Sequence, residues 1–367
     1  MQHRTHVSLC CLCFLMLFIS AALAADEPKL VSGAPPEPRI AAGWDTGKFP
    51  DHAVCYKSPK VIAEIYGKVD RKAVTSFDKP TDGSLRVIGT GHSFMAPAYR
   101  TLPDITRAGG FKQAALFTHT GGGVTGSARY KWEQENGIYQ FDGNPRPKLL
   151  ASLANAEWDV MTWGPFYHDR TAYYECWIDF ALKTNPKMKF YLMNGWPQIG
   201  QLGERPTPEQ GLSAETIARM GEAKIKSNGA IIEALNRKYP GKVYVLPTCE
   251  AMVLAAKAFH EGKLPGVEGI HKLVEKKERS LWRDQIGHLG PGFERLEGYV
   301  FYATLYGRSP EKIEGDAGLK AGGYPSEELD RVFRKIAWQA VISSPLSGVK
   351  DENGDGVADD HLGSKAK

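Results

Sequence analysis

The sequence predicts an α/β protein built on a central parallel sheet with helices on both faces, and three observations carry the prediction. From Leu85 onward short apolar runs alternate with stretches of helical pattern, the rhythm of strand–helix units. Each run is apolar at nearly every position rather than at every second one, as in a strand covered on both faces. The chain of 367 residues is 42% hydrophobic and 24% charged, which suffices for a large core and excludes collagen-like, coiled-coil and disordered classes.

Before that rhythm begins, residues 1–24 read as a secretory signal peptide. Arg4, with His3 and His6, makes a positive start, an uncharged apolar stretch runs from Val7 to Ala25, and Ala22-Leu23-Ala24 is a small-residue cleavage motif. A retained membrane anchor is the alternative, since the stretch is nearly long enough to span a bilayer. The polar Asp26-Glu27-Pro28 that follows favours cleavage after Ala24, a secreted or periplasmic protein, and no stable membrane insertion. Cleavage removes Cys10, Cys11 and Cys13 and leaves Cys55, Cys176 and Cys249, an odd set that allows one internal disulfide at most.

Residues 25–84 form an N-terminal extension expected to pack on the core, its first half rich in Pro, Ala and Gly. The main domain spans 85–310. Its expected strands are Leu85–Gly89, Ala114–Thr118, Trp158–Thr162, Met188–Met193 and Lys242–Leu246. Its expected helices are Thr171–Thr184, Ser213–Lys238, Glu250–Glu261 and Gly292–Leu305. Ser213 is a good N-cap residue for the second of these, and Tyr239-Pro240-Gly241 closes it. A helical extension, 311–345, carries an amphipathic helix over 325–342, and 346–367 reads as a polar tail.

Ligands of parallel sheets bind beyond the carboxyl ends of the strands, so the loops there are where chemistry is expected. The first strand leads into Gly89-Thr90-Gly91-His92-Ser93-Phe94. A serine just after a strand, in a turn that glycines permit, is how a nucleophile is presented above a sheet; it is equally how a turn or capping serine is used. Met95 stands where the nucleophile elbow of α/β-hydrolases needs glycine, and no Gly-Lys-Ser/Thr makes a phosphate loop. The second strand leads into His119-Thr120-Gly121-Gly122-Gly123, whose amides are free to face an oxyanion. Further on, Asp284 and His288 share a Gly-rich loop that runs into a helix, a possible base with its orienting carboxylate.

Together these three loops resemble the SGNH/GDSL hydrolase superfamily over about residues 85–310. Gly91-His92-Ser93-Phe94 resembles its serine block, Gly122 its oxyanion glycine, and Asp284, His288 and the helix after Gly292 its C-terminal block. The resemblance implies a three-layer α/β/α flavodoxin-like domain with a central parallel sheet, and hydrolysis of carboxylic esters such as acetyl groups on carbohydrate. Ser93 would be the nucleophile, His288 the base, Asp284 its partner, and the amides of Ser93 and Gly122 the oxyanion hole. Two features depart from the family pattern. Phe166 stands where an oxyanion Asn is expected, and Asp284 precedes His288 by four residues rather than three.

Trp163 and Trp196 follow strand ends, and with His168 they are candidate substrate contacts; the alternative for the tryptophans is core filling. Trp196 opens a long Gly/Pro-rich loop, Gly195–Gly211, of the length that shapes substrate sites. Trp158 and Trp177 are expected in the core. In the tail, Asp351, Asn353, Asp355 and Asp359 with Gly356 match most of a calcium loop, but Leu362 replaces the closing Glu, and a solvated acidic turn is the other reading. No cofactor is required for ester hydrolysis. A net charge of +4 without any dense basic run gives no footprint for nucleic acid, so the expected partner is a small-molecule or polysaccharide ester. The alternative function is a non-catalytic carbohydrate-binding protein on the same fold.

Overall fold

The computed structural model describes residues 74–112, 116–120, 139–141, 144–146, 149–164, 171–202 and 212–359. The signal peptide, Cys55, Gly122, Phe166 and His168 lie outside the described residues.

The sheet is built outward from β1 (Val87–Gly91), buried at every position. β2 (Leu116–Thr120) pairs with it in parallel on one side, Val87 opposite Leu116. β5 (Val160–Trp163) pairs in parallel on the other, Val87 opposite Val160. β6 (Lys189–Met193) and β7 (Val243–Leu246) extend the sheet, again in parallel, giving five strands in the order β2-β1-β5-β6-β7. This is the doubly wound order in which the chain reverses direction after β1, so a crevice opens between the carboxyl ends of β1 and β5. Two short pairs stand apart: β3 (Tyr139–Phe141) with β4 (Asn144–Arg146), and β8 (Gly269–His271) with β9 (Ser280–Trp282), the last two joined through the short α6 (Lys272–Glu275).

Helices cover both faces because alternate strand residues point to opposite sides. Val87, Val160, Tyr191 and Met193 face one core, shared with α1 (Ala96–Ala108), α5 (Thr248–His260), α7 (Phe293–Tyr306) and α8 (Glu327–Ser343). Ile88, Met161, Phe190 and Leu192 face the other, shared with α2 (Leu149–Asn155) and α3 (Thr171–Thr184). The long α4 (Ala214–Lys238) contributes Ile217 and Met220 to the first core and Ile232 and Leu235 to the second. The three-layer α/β/α architecture expected from the sequence is therefore present. Trp158 and Trp177 lie in the second core, as expected.

Several boundaries and elements differ from the sequence reading, and three of the differences matter for the site and its support. The first two strands begin and end two residues later than expected, so β1 runs to Gly91 itself. The helix α1 carries Pro97 and Pro103, which disguise it. Pro97 sits in the first turn, where its missing N–H costs nothing, and Pro103 is tolerated because the helix is packed against α7. Ser213 caps α4 by accepting from the Thr216 amide, as expected. Finally, residues 344–359 are no loose polar tail. The Leu346 carbonyl accepts from the Val245 amide of β7, Val357 bridges to Arg308, and Val349 and Ala358 are buried. The segment thereby covers the outer edge of β7, which would otherwise offer unpaired backbone groups. Cys249 carries a free thiol, so Cys176 and Cys249 do not pair with each other.

Candidate active site

The crevice between β1 and β5 is narrow because two glycines face each other there. A Cβ on Gly91 would come to 3.0 Å from the Gly164 amide nitrogen and 2.6 Å from Met95 Cγ. The chain leaves β1 in a tight turn, with the Met95 amide donating to the His92 carbonyl at 3.0 Å and the Ala96 amide to that of Ser93 at 3.3 Å. This turn starts α1 and leaves Ser93 exposed at the top of the sheet, its own amide unengaged among the described residues.

The partner of Ser93 arrives from 195 positions along the chain: Ser93 Oγ and His288 Nε2 are 2.7 Å apart. His288 sits on a loop closed like a hairpin. Trp282 bridges Leu289, the Arg283 amide donates to the His288 carbonyl at 2.9 Å, and the Gly287 amide to that of Asp284 at 3.0 Å. Gly287 has φ 89°, a left-handed conformation open to glycine at little cost, and this turn absorbs the extra residue between acid and histidine. Asp284 Oδ2 accepts from His288 Nδ1 at 2.7 Å, while Oδ1 accepts from the amides of Gly287 and His288, both at 3.1 Å. Partial burial raises the Asp284 pKa, but the amide and ring N–H of His288 outweigh it, and the carboxyl is held below its ordinary value. An ionised Asp284 on Nδ1–H fixes the tautomer in which Nε2 is free to accept from the serine hydroxyl.

Two aromatic rings brace this arrangement. Phe94 meets the His288 ring edge-on at 5.2 Å and stacks on Trp196 at 4.7 Å. Trp196 Nε1 donates to the Gly287 carbonyl at 2.5 Å. Trp196 is thus fully buried, and it holds the loop that carries His288 rather than standing at the rim as the sequence suggested. Trp163 is corrected likewise: it is 0% exposed and stacks on Phe190 at 5.3 Å, filling the second core. Both are large apolar rings at the end of buried strands, and burial removes more of their surface from water than a rim position would.

Ser93 and His288 open into a cavity of about 350 Å³ lined also by Trp196, Arg100 and Arg283. Beside it Gln198, Gly200 and the exposed Ile286 line a second depression next to Asp284. A larger cavity, about 580 Å³, lies elsewhere against Asp330 and Arg334. The Arg334 guanidinium there is already satisfied by Asp330 and the carbonyls of Ile313 and Gly315, and among the described residues no serine, cysteine or histidine lines that cavity, so the smaller one is the candidate site.

In the expected calcium loop the side chains turn inward on the loop's own backbone. Asp351 accepts from the Gly356 amide, Asn353 from Asp355, Asp355 from Val357 and Asp359 from Glu352, at 2.8–3.0 Å. No group of three or more His, Cys, Asp or Glu placed to hold a metal ion occurs among the described residues. No described helix is long and apolar enough to cross a membrane.

No protein-family model matches the chain, and no curated protein does. Among solved structures the chain is similar to a DUF4886 family protein from Bacteroides uniformis ATCC 8492. That likeness has 12% sequence identity and a TM-score of 0.48, over 70% of this chain and 95% of that one.

Proposed function

We propose that the chain is an exported serine hydrolase of carboxylic esters, of the SGNH/GDSL kind that its loops resemble. The observation that carries the reading is the unbroken relay from Ser93 Oγ through His288 to Asp284, each link 2.7 Å long, at the switch point of a parallel sheet. Ser93 attacks the ester carbonyl as His288 Nε2 takes its proton, and the imidazolium so formed is stabilised by Asp284. The proton then passes to the leaving alcohol, and a water repeats the sequence on the acyl-enzyme. The Ser93 amide is one donor to the oxyanion, and Gly122 is proposed as the second. The reaction needs no cofactor. Acetylated carbohydrate is the substrate class that the resemblance suggests.

A fluorophosphonate probe tests the reading directly. Wild-type protein is expected to be labelled at Ser93, and Ser93→Ala and His288→Ala to be silent. A labelled Ser93→Ala protein, or an unlabelled wild type that also fails to cleave small acetyl esters, would overturn it. The second reading, a carbohydrate-binding protein without turnover, draws on Phe166 at the expected Asn position. Loss of one oxyanion donor costs about 100- to 1,000-fold in rate. Glycan binding that persists in Ser93→Ala alongside an inert wild type would favour it.

A further inference from the structure

Among the described residues, the cavity at Ser93 is lined by two arginines, Arg100 and Arg283, and one carboxylate, Glu294. Arg100 reaches it from α1 and Arg283 from the residue before Asp284. Arg100 makes no hydrogen bond or ion pair with any described residue. Its electrostatic partner, Glu297, is buried in the α1–α7 contact, where desolvation favours the uncharged acid. Arg283 approaches Asp284 Oδ2 only to 3.4 Å, and that carboxylate is already committed to three N–H groups of Gly287 and His288. Glu294 lines the same cavity, yet it forms an ion pair with neither arginine. Among the described residues, two guanidiniums thus share the cavity with one carboxylate that stands outside any ion pair. The remaining walls include Pro97, Leu289 and Pro291, which are stiff and apolar, while both guanidiniums stay exposed at the cavity mouth.

A guanidinium is a planar fork of donors that matches a carboxylate, and it is costly to leave without an acceptor once water is expelled. We propose that this cavity is a specificity subsite for a carboxylate borne next to the scissile ester, with Arg100 as its anchor and Arg283 as the second donor. The inference rests on the ester-hydrolase reading for the word scissile, but the binding it asserts is independent of turnover. The carboxylate belongs either to the acyl group, as in a dicarboxylic half-ester, or to the alcohol, as in an acetylated uronic acid. Glu294 remains available to accept a hydroxyl of such a sugar.

The test uses the full chain carrying Ser93→Ala, so that nothing is consumed. Calorimetric titration compares monomethyl with dimethyl succinate for the acyl side. An acetylated methyl uronoside and the corresponding neutral acetylated glycoside serve the alcohol side. In one pair the carboxylate member should bind at least about tenfold tighter, the ratio expected for one charge-assisted contact. That ratio should shrink with added salt and approach one when Arg100→Leu is added. Arg107→Leu, on the same helix but paired with Asp104, serves as control and should leave it unchanged. Equal affinity within both pairs, undetectable binding of all four ligands, or a preference that survives both Arg100→Leu and Arg283→Leu overturns the inference. Failure of fluorophosphonate labelling in the wild type would instead count against the hydrolase reading alone.

Discussion

At the scale of single residues, the site depends on contacts that hold one imidazole. Asp284 supplies three acceptor contacts to the loop it belongs to, so its replacement tests both charge and shape. Asp284→Asn keeps the shape and loses the charge. We expect kcat for a small acetyl ester to fall by roughly 1,000-fold or more with the fold intact by circular dichroism. A fall of only a few-fold would mean that Asp284 does not orient His288. Trp196→Phe keeps the stack on Phe94 and deletes the donor to the Gly287 carbonyl. The expected outcome is a loss of about ten- to 100-fold in kcat with KM little changed, since the indole touches the loop and not the reacting atoms. Equal changes in kcat and KM would point to a direct substrate contact instead.

At the scale of elements, the crevice is set by β1, β5 and the two helices packed behind them. Gly91→Ala places a methyl against Met95 Cγ and the Gly164 backbone, and the backbone cannot yield. Overpacking of this kind costs about 1–3 kcal/mol, which denaturant unfolding reads as a lower midpoint at unchanged slope. Between α1 and α7 lies Glu297, 3% exposed, with no side-chain partner for either carboxyl oxygen among the described residues. Desolvation pushes its pKa well above 4.5, and the Ala98 amide and Arg100 offset only part of that rise. The folded chain therefore binds this proton more tightly than the unfolded one. Its stabilising contribution is complete below about pH 4.5 and is lost as pH climbs through the raised value. Glu250, half-compensated by Asn194 and Ser344, shifts in the same direction through burial. Glu297→Gln should flatten the decline of Tm above pH 4.5 without removing the part due to Glu250. An unaltered Tm–pH curve would show that the carboxyl finds a partner on ionisation.

At the scale of the whole molecule, the C-terminal third clamps the site's helices together. Asp330 on α8 accepts from Arg295 Nε and Tyr299 on α7 and from Arg334 Nε on its own helix, all four side chains being buried. Other guanidinium N–H groups donate to the carbonyls of Ile313, Gly315, Asp316 and Ala317, and one of Arg295's to the Tyr299 hydroxyl, so the network fixes the connection between α7 and α8 as well. Removing the one anion leaves two buried cations facing each other. Asp330→Ala should therefore cost about 3–5 kcal/mol, much more than an exposed pair such as Lys272–Glu278 is worth. Thermal unfolding of Asp330→Ala beside Glu278→Ala checks the contrast.

The sequence by itself determined the layer architecture, because strands buried on both faces and capped amphipathic helices are written in local composition. It also singled out Ser93, His288 and Asp284 through the combined resemblance of their loops, and the structure brings these side chains together. It missed α1, whose two prolines contradict a helix that packing against α7 sustains. It left Trp163 and Trp196 open between substrate contact and core filling, because a ring beyond a strand end looks the same in sequence whether it faces solvent or the neighbouring loop. It read residues 344–359 as a tail, because polar composition hides the few apolar and backbone contacts that seal β7. What only the tertiary structure decided was distance. Residues 195 positions apart meet at 2.7 Å because the strand order opens one crevice, and no local pattern encodes which two loops will share it.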